Sequence, residues 1–167
     1  MSRYGTSNGN VIIVGISDMK TSTSDSDVIV TYSLGSCVGV TMYDPTARVG
    51  GMAHCMLPLS RMEPEKAKRN PGMFTDTGIS LLLQALMDLG ANRRRIVACV
   101  AGAAAPLGPD TMFKIGERNY FVLRKLLWKN EILIASEDVG GSHPRTLALY
   151  MNTGKTTVRT GNVEREM

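Results

Sequence analysis

Val28-Ile-Val-Thr31-Tyr-Ser-Leu34-Gly-Ser-Cys37-Val-Gly-Val-Thr-Met-Tyr43-Asp44-Pro45-Thr-Ala-Arg-Val49-Gly-Gly-Met-Ala-His54-Cys55-Met-Leu57-Pro58 decides the fold of this chain. Three runs within it, Val28–Ser33, Cys37–Tyr43 and Val49–Leu57, are short and mostly apolar and read as strands, the first two also rich in β-branched residues. Turn chemistry separates them. Leu34-Gly-Ser36 is a tight bend, Asp44-Pro45 is a turn, and Pro58 ends the last run. The second and third runs are close enough in sequence to form a hairpin.

Upstream, Val11–Ile16 reads as another strand, and the Ser-, Thr- and Asp-rich Ser17–Asp27 as a loop. Downstream, Leu59–Gly72 is polar and charged with two prolines, a surface loop with the composition of a mobile one. Thr75 or Asp76 is placed to cap a helix whose apolar positions Ile79, Leu82, Leu83, Leu86 and Leu89 follow the helical period, and Gly90 stops it. Ile96–Val100 reads as a strand running into the small-residue loop Ala101–Pro109. Gly116–Lys129 reads as a second amphipathic helix burying Val122, Leu123, Leu126 and Leu127. Ile132–Ser136 is a further strand, and Gly140-Gly141 a turn. Thr146–Met151 and Thr156–Arg159 pair across Asn152-Thr-Gly-Lys155, and the polar tail after Thr160 frays. The order predicts one α+β domain over residues 1–167, with its core at about 11–159. The expected fold is a layered sandwich of mixed β-sheet with two main helices packed outside, and not a Rossmann-type alternation.

At 167 residues, 43% hydrophobic and 20% charged, the chain has the makeup of an ordinary globular protein able to bury a real core. No apolar run approaches the roughly 20 residues that span a bilayer, so no membrane insertion is expected. The first ten residues lack the apolar centre of a signal peptide. Three cysteines make no disulfide framework, and a cytoplasmic location is expected. The net charge of +4 is mild, and aromatic residues are only 5%. Basic residues cluster only at Arg61–Arg69 and Arg93–Arg95. That pattern argues against nucleic acid as a partner. A modest positive field suits an acidic protein partner, but simple solubility is the better account of it.

With only two histidines in the chain, Cys37 and His54 on neighbouring strands are the sharpest chemical signal. Gly35, Gly39, Gly50 and Gly51 clear side chains from around the thiol and are expected to let a foreign chain approach. Strand parity places Met52, His54 and Met56 on one face and Ala53, Cys55 and Leu57 on the other. Cys55 therefore points away from His54 and belongs to the core, as does Cys99 in its apolar strand. A zinc site would need ligands from both faces of one strand, and there is no C-x-x-C spacing, so no metal or other cofactor is expected. His143, in Gly140-Gly-Ser-His-Pro144, reads as solvated. Thr31 could orient the imidazole, although by spacing alone it reads as filling a strand position. No Asp or Glu in the adjacent strands is a better orienter, since Asp44 belongs to a turn. Backbone N–H groups of Ser36 and Cys37 are the natural oxyanion donors after the glycine bend.

These residues resemble a known family. Thr31-x-x-Leu34-Gly-Ser-Cys37-Val, Tyr43-Asp44-Pro45 and Gly50-Gly-Met-Ala-His54-x-Met-Leu-Pro58 are similar to the CheD chemoreceptor glutamine deamidases. The likeness continues through Phe74-Thr-Asp76, Ile115-Gly-Glu-Arg-Asn119 and Glu137-Asp138-Val-Gly-Gly141 to Arg145. The resemblance implies a cysteine hydrolase with Cys37 as nucleophile, His54 as its histidine and Thr31 as its threonine. It also implies a sandwich related to bacterial toxin deamidases. Implied partners are methyl-accepting chemotaxis receptors and a CheC phosphatase, the latter raising the alternative of an adaptor. One departure is Ala101-Gly-Ala-Ala-Ala105, where the family carries a Gly-Gly-Ala turn, which bears on substrate entry through Ala101–Pro109.

Overall fold

The structure, a computed structural model, describes residues 3–5, 8–105 and 114–167. Along the chain run β1 (Val11–Ile13), β2 (Asp18–Ser22), β3 (Val28–Leu34), β4 (Val38–Asp44), β5 (Val49–Cys55), α1 (Pro64–Arg69), α2 (Thr75–Asp88) and β6 (Val97–Gly102). Then come α3 (Ile115–Lys129), β7 (Leu133–Val139), β8 (Arg145–Tyr150), β9 (Lys155–Thr160) and β10 (Val163–Glu166). The strands form two five-stranded sheets, β1-β3-β8-β9-β10 and β2-β5-β4-β6-β7. Each is mixed: β1–β3 and β6–β7 are parallel, the other pairs antiparallel. The α+β layered sandwich expected from the sequence is what forms.

Two apolar layers hold it. Ile29, Leu34, Met52, Leu147 and Leu149 fill the space between the sheets. On the other face of the second sheet, Val38, Val40, Met42, Ala53 and Cys55 pack under Leu82 and Leu86 of α2 and Leu123 and Leu127 of α3. Val122 and Leu126, expected buried, are only half-buried. The period-two alternation of β4 and β5 thus serves two cores, which is why both strands are buried throughout.

The chain changes sheets in the bend after β3. The register of β3 against β8 slips between Thr31 and Leu34, with Ser33 at φ 58°. Strict alternation would put Thr31 inward and Leu34 outward. The bulge inserts one residue, so that both face inward. Cys37 therefore lies in the bend and not in the strand predicted to start at it; β4 begins at Val38.

Other expectations are corrected. Ser17–Asp27 is not all loop, because Asp18–Ser22 is an edge strand paired with β5. Leu57 lies beyond β5 and makes only an isolated bridge to Phe74. Leu59–Gly72 carries short helical turns, including α1. Neither Thr75 nor Asp76 caps α2: Asp76 takes the backbone N–H and hydroxyl of Ser60. Asp44, expected in a turn, is the last residue of β4; it is buried and bonded by Arg95 at 3.0 Å. Glu137 and Asp138 extend β7, and the tail after Thr160 forms β10 against β9. Of the Ala101–Pro109 loop, Ala101 and Gly102 end β6, and residues 106–109 lie outside the described residues.

Candidate active site

Thr31 and His54 come from different sheets and meet between them. Thr31 Oγ1 lies 2.7 Å from His54 Nδ1 and 2.7 Å from the carbonyl oxygen of Val14. A hydroxyl has one hydrogen, and a carbonyl can only accept, so that hydrogen goes to Val14. Thr31 Oγ1 must then accept from Nδ1, which fixes the proton there. The lone pair is left on Nε2. Nε2 is buried and has no hydrogen-bond partner among the described residues. A buried imidazole nitrogen left open this way is costly, and it is the form a general base requires.

Cys37 stands on the same layer. In the hairpin Val38 pairs with Cys55 and Gly39 with His54, so Cys37 is one step beyond the register, diagonal to His54. It is half-buried and packs against the inter-sheet core. No hydrogen bond joins its thiol to His54. Cys55, as parity requires, lies on the opposite face. A Cβ built at Gly78 of α2 would come within 2.8 Å of its sulfur. Cys99 is buried beside Thr41 and Thr156. His143 is exposed.

The bend around Cys37 is held by its carbonyls. Gly35 O accepts from Ala104 N at 2.8 Å and Cys37 O from Ala103 N at 2.8 Å. Ser36 O accepts from Asn119 Nδ2 at 3.0 Å. A trans peptide points each N–H opposite to the preceding carbonyl. The N–H groups of Ser36 and Cys37 therefore aim away from Ala104 and Asn119.

Asn119 is the residue that sequence reasoning did not assign. Its Nδ2 also donates to Met56 O at 3.0 Å, and its Oδ1 accepts from Thr75 Oγ1 at 3.1 Å. One buried amide thus ties the cysteine bend to the segment leaving the histidine strand. Its place in Ile115-Gly-Glu-Arg-Asn119 was the only signal in the sequence.

The chain matches the family model described as CheD chemotactic sensory transduction over residues 56–160. It is 45% identical over 156 residues to the probable chemoreceptor glutamine deamidase CheD of Solibacter usitatus, covering 93% of this chain and 92% of that one. The chain belongs to the CheD family. The probable chemoreceptor glutamine deamidase CheD 1 of Syntrophus aciditrophicus is 47% identical over 148 residues, covering 89% and 92%. The Bacillus licheniformis hypothetical protein YfiH has a TM-score of 0.45 at 16% identity, over 75% of this chain and 50% of its own, a likeness too slight to add to the fold. The CheD model match begins at Met56, beyond Thr31, Cys37 and His54.

Electrostatics set the resting state of this CheD-family site. Burial lowers His54 to about 4. Thr31 is a neutral acceptor and offers an imidazolium none of the attraction a carboxylate would. Burial also pushes the Cys37 thiol above its ordinary value, its own backbone N–H offsetting part of this. Cys55 is pushed up to about 12, chiefly by burial. At neutral pH the free protein therefore holds a thiol and a neutral imidazole. No thiolate–imidazolium pair is preformed.

The glycines also need revision. At Gly50 a Cβ would strike Met151 Sδ at 2.7 Å, and at Gly51 Leu82 Cδ1 at 2.8 Å. Both allow close packing in the sandwich and do not open the thiol to a partner. Gly35 does face open space. Gly102, at φ +100°, is the one bound to the site, since a Cβ there would collide with the Cys37 carbonyl.

Proposed function

We propose that this chain is a chemoreceptor glutamine deamidase, the activity named for its relatives, and that Cys37, His54 and Thr31 carry it. The observation supporting these roles is the tautomer: Thr31 commits the imidazole proton to Nδ1 and leaves Nε2 open on the layer that Cys37 borders.

As Cys37 Sγ attacks the side-chain amide carbon of glutamine, its proton passes to His54 Nε2. The oxyanion is received by the N–H groups of Ser36 and Cys37. Collapse breaks the C–N bond, and Nε2–H protonates the leaving nitrogen, releasing ammonia and a γ-glutamyl thioester. Nε2 then takes a proton from water, and the hydroxide attacks the thioester. Glutamate leaves and the thiol regains its proton. Because both groups start neutral, the proton transfer accompanies substrate binding and attack. Apo geometry without a Cys37–His54 hydrogen bond fits that sequence, since such contacts tighten in the complex.

The test is mass spectrometry of a chemoreceptor cytoplasmic fragment after incubation with the protein. Each converted glutamine gains about one dalton and releases one ammonia, and Cys37→Ala abolishes both. Receptor conversion by Cys37→Ala equal to wild type sinks the assignment. We extend the proposal to a cytoplasmic location and to a CheC-type phosphatase as second partner. Pull-down of that phosphatase should survive Cys37→Ala.

A further inference from the structure

Beside the cysteine bend, α3, the start of α2 and the segment after Leu57 enclose a groove of about 1160 Å³. That exceeds the roughly 300–1,000 Å³ of ordinary small-molecule pockets. Its walls carry Leu59, Phe121, Val122 and Leu126 as apolar surface. Five cations line it as well: Arg61, Lys114, Arg118, Lys125 and Lys129. Only two carboxylates oppose them. Asp76 is occupied by Ser60, and Glu117 pairs with Lys114 at 3.7 Å. Arg61, Arg118, Lys125 and Lys129 have no ion-pair partner among the described residues. The sequence scattered these charges over two regions; the fold gathers them on one wall.

Two aromatic side chains stand on the same helix face. Phe121, Lys125 and Trp128 are spaced i, i+4, i+7, and Phe121 is 67% and Trp128 80% exposed. Exposed aromatics flanked by cations mark a binding surface more than a soluble helix back. The groove also adjoins the site. Arg118 precedes Asn119, whose amide holds both Ser36 and Met56, and Pro58 and Leu59 follow directly from Met56.

We propose that this groove docks an acidic amphipathic helix of the protein substrate next to the glutamine presented to Cys37. The inference rests on the deamidase reading for the identity of the substrate. Charge complementarity selects the acidic partner, and the apolar strip between the cations takes the helix's apolar face. From Lys114 to Lys129 the wall spans roughly 22 Å at 1.5 Å per residue, about four turns of a partner helix.

Trp128 is the only tryptophan in the chain, so its fluorescence reports on this face alone. The experiment titrates Cys37→Ala protein, which cannot turn over, with a chemoreceptor cytoplasmic fragment. A synthetic helix with one leucine and one glutamate face, its lysine counterpart and a single-stranded oligouridylate are titrated in parallel. The receptor fragment and the glutamate helix are expected to bind and shift the emission; the lysine helix is not. Lys125→Glu with Lys129→Glu should weaken both by about tenfold at low salt, and added salt should erase the difference. The same charge change at the exposed Arg48 and Lys155, which do not line this groove, should have no effect. In the active protein the groove variant should lose kcat/KM through KM. Equal losses from both charge reversals, no fragment binding, or tighter binding of oligouridylate overturns the proposal. Binding is read without turnover, so a wild type that docks the receptor through the groove but never deamidates it refutes the enzyme reading and retains the docking site.

Discussion

Lowering the pH should destabilise the folded protein through His54 before the carboxylates contribute. An ordinary imidazole titrates near 6.5, whereas burial lowers His54 to about 4. Between those values the unfolded chain binds a proton at this ring and the folded chain does not. Stability is therefore fully present above pH 6.5 and falls as the pH drops toward 4. At about 1.4 kcal/mol per pH unit, the interval from 6.5 to 4 amounts to about 3 kcal/mol, of which about 2 is lost by pH 5. That is a large part of the 5–15 kcal/mol typical of a domain. Urea unfolding of wild type and His54→Gln at pH 7, 6, 5 and 4.5 isolates the effect, because every other group titrates in both. The wild-type curve should fall more steeply, by about 2 kcal/mol between pH 7 and 5. NMR offers an independent reading, since the chain has only two histidines. Parallel pH profiles for the two proteins, or a His54 signal titrating at 6 or above, would refute the neutral resting site and the proton order drawn from it.

Three further outcomes test the site's construction. Asn119→Ala leaves the carbonyls of Ser36 and Met56 without their donor and should cost about 2–6 kcal/mol in urea unfolding, at about 1–3 per stranded group. It should also change the alkylation rate of Cys37. Thr31→Val removes the acceptor that fixes the imidazole proton and should lower kcat about a hundredfold, with Cys37 alkylation at high pH little altered. Gly102→Ala forces a side chain into the Cys37 carbonyl at positive φ and should lower stability and activity together, whereas Gly35→Ala, facing open space, should fold normally.

The inner strands were legible because β4 and β5 are buried on both faces and bounded by bends, so composition and parity agreed. Parity alone separated His54 from Cys55. The edge strands β2 and β10 were not. In β2 only Ser22 is buried, and β10 has no buried residue; backbone pairing with a neighbour holds both, and their side chains carry no apolar signature. Asn119 was invisible in role because its carbonyl partners lie 83 and 63 residues away. The glycines misled for a related reason. The same residue type serves an open bend at Gly35 and a crowded interior at Gly50, and only the surroundings tell them apart.

The bond between Thr31 and His54 crosses from one sheet to the other, and that makes the imidazole a gauge of sandwich closure. Neither sheet alone could hold the ring in its working tautomer. A modest separation of the layers, by pressure or by a cavity at Leu147, would let the ring turn while every strand stayed paired. Activity should then fade before circular dichroism registers any loss of structure. On the proposed mechanism, the competence to react and the seating of the two sheets are one property.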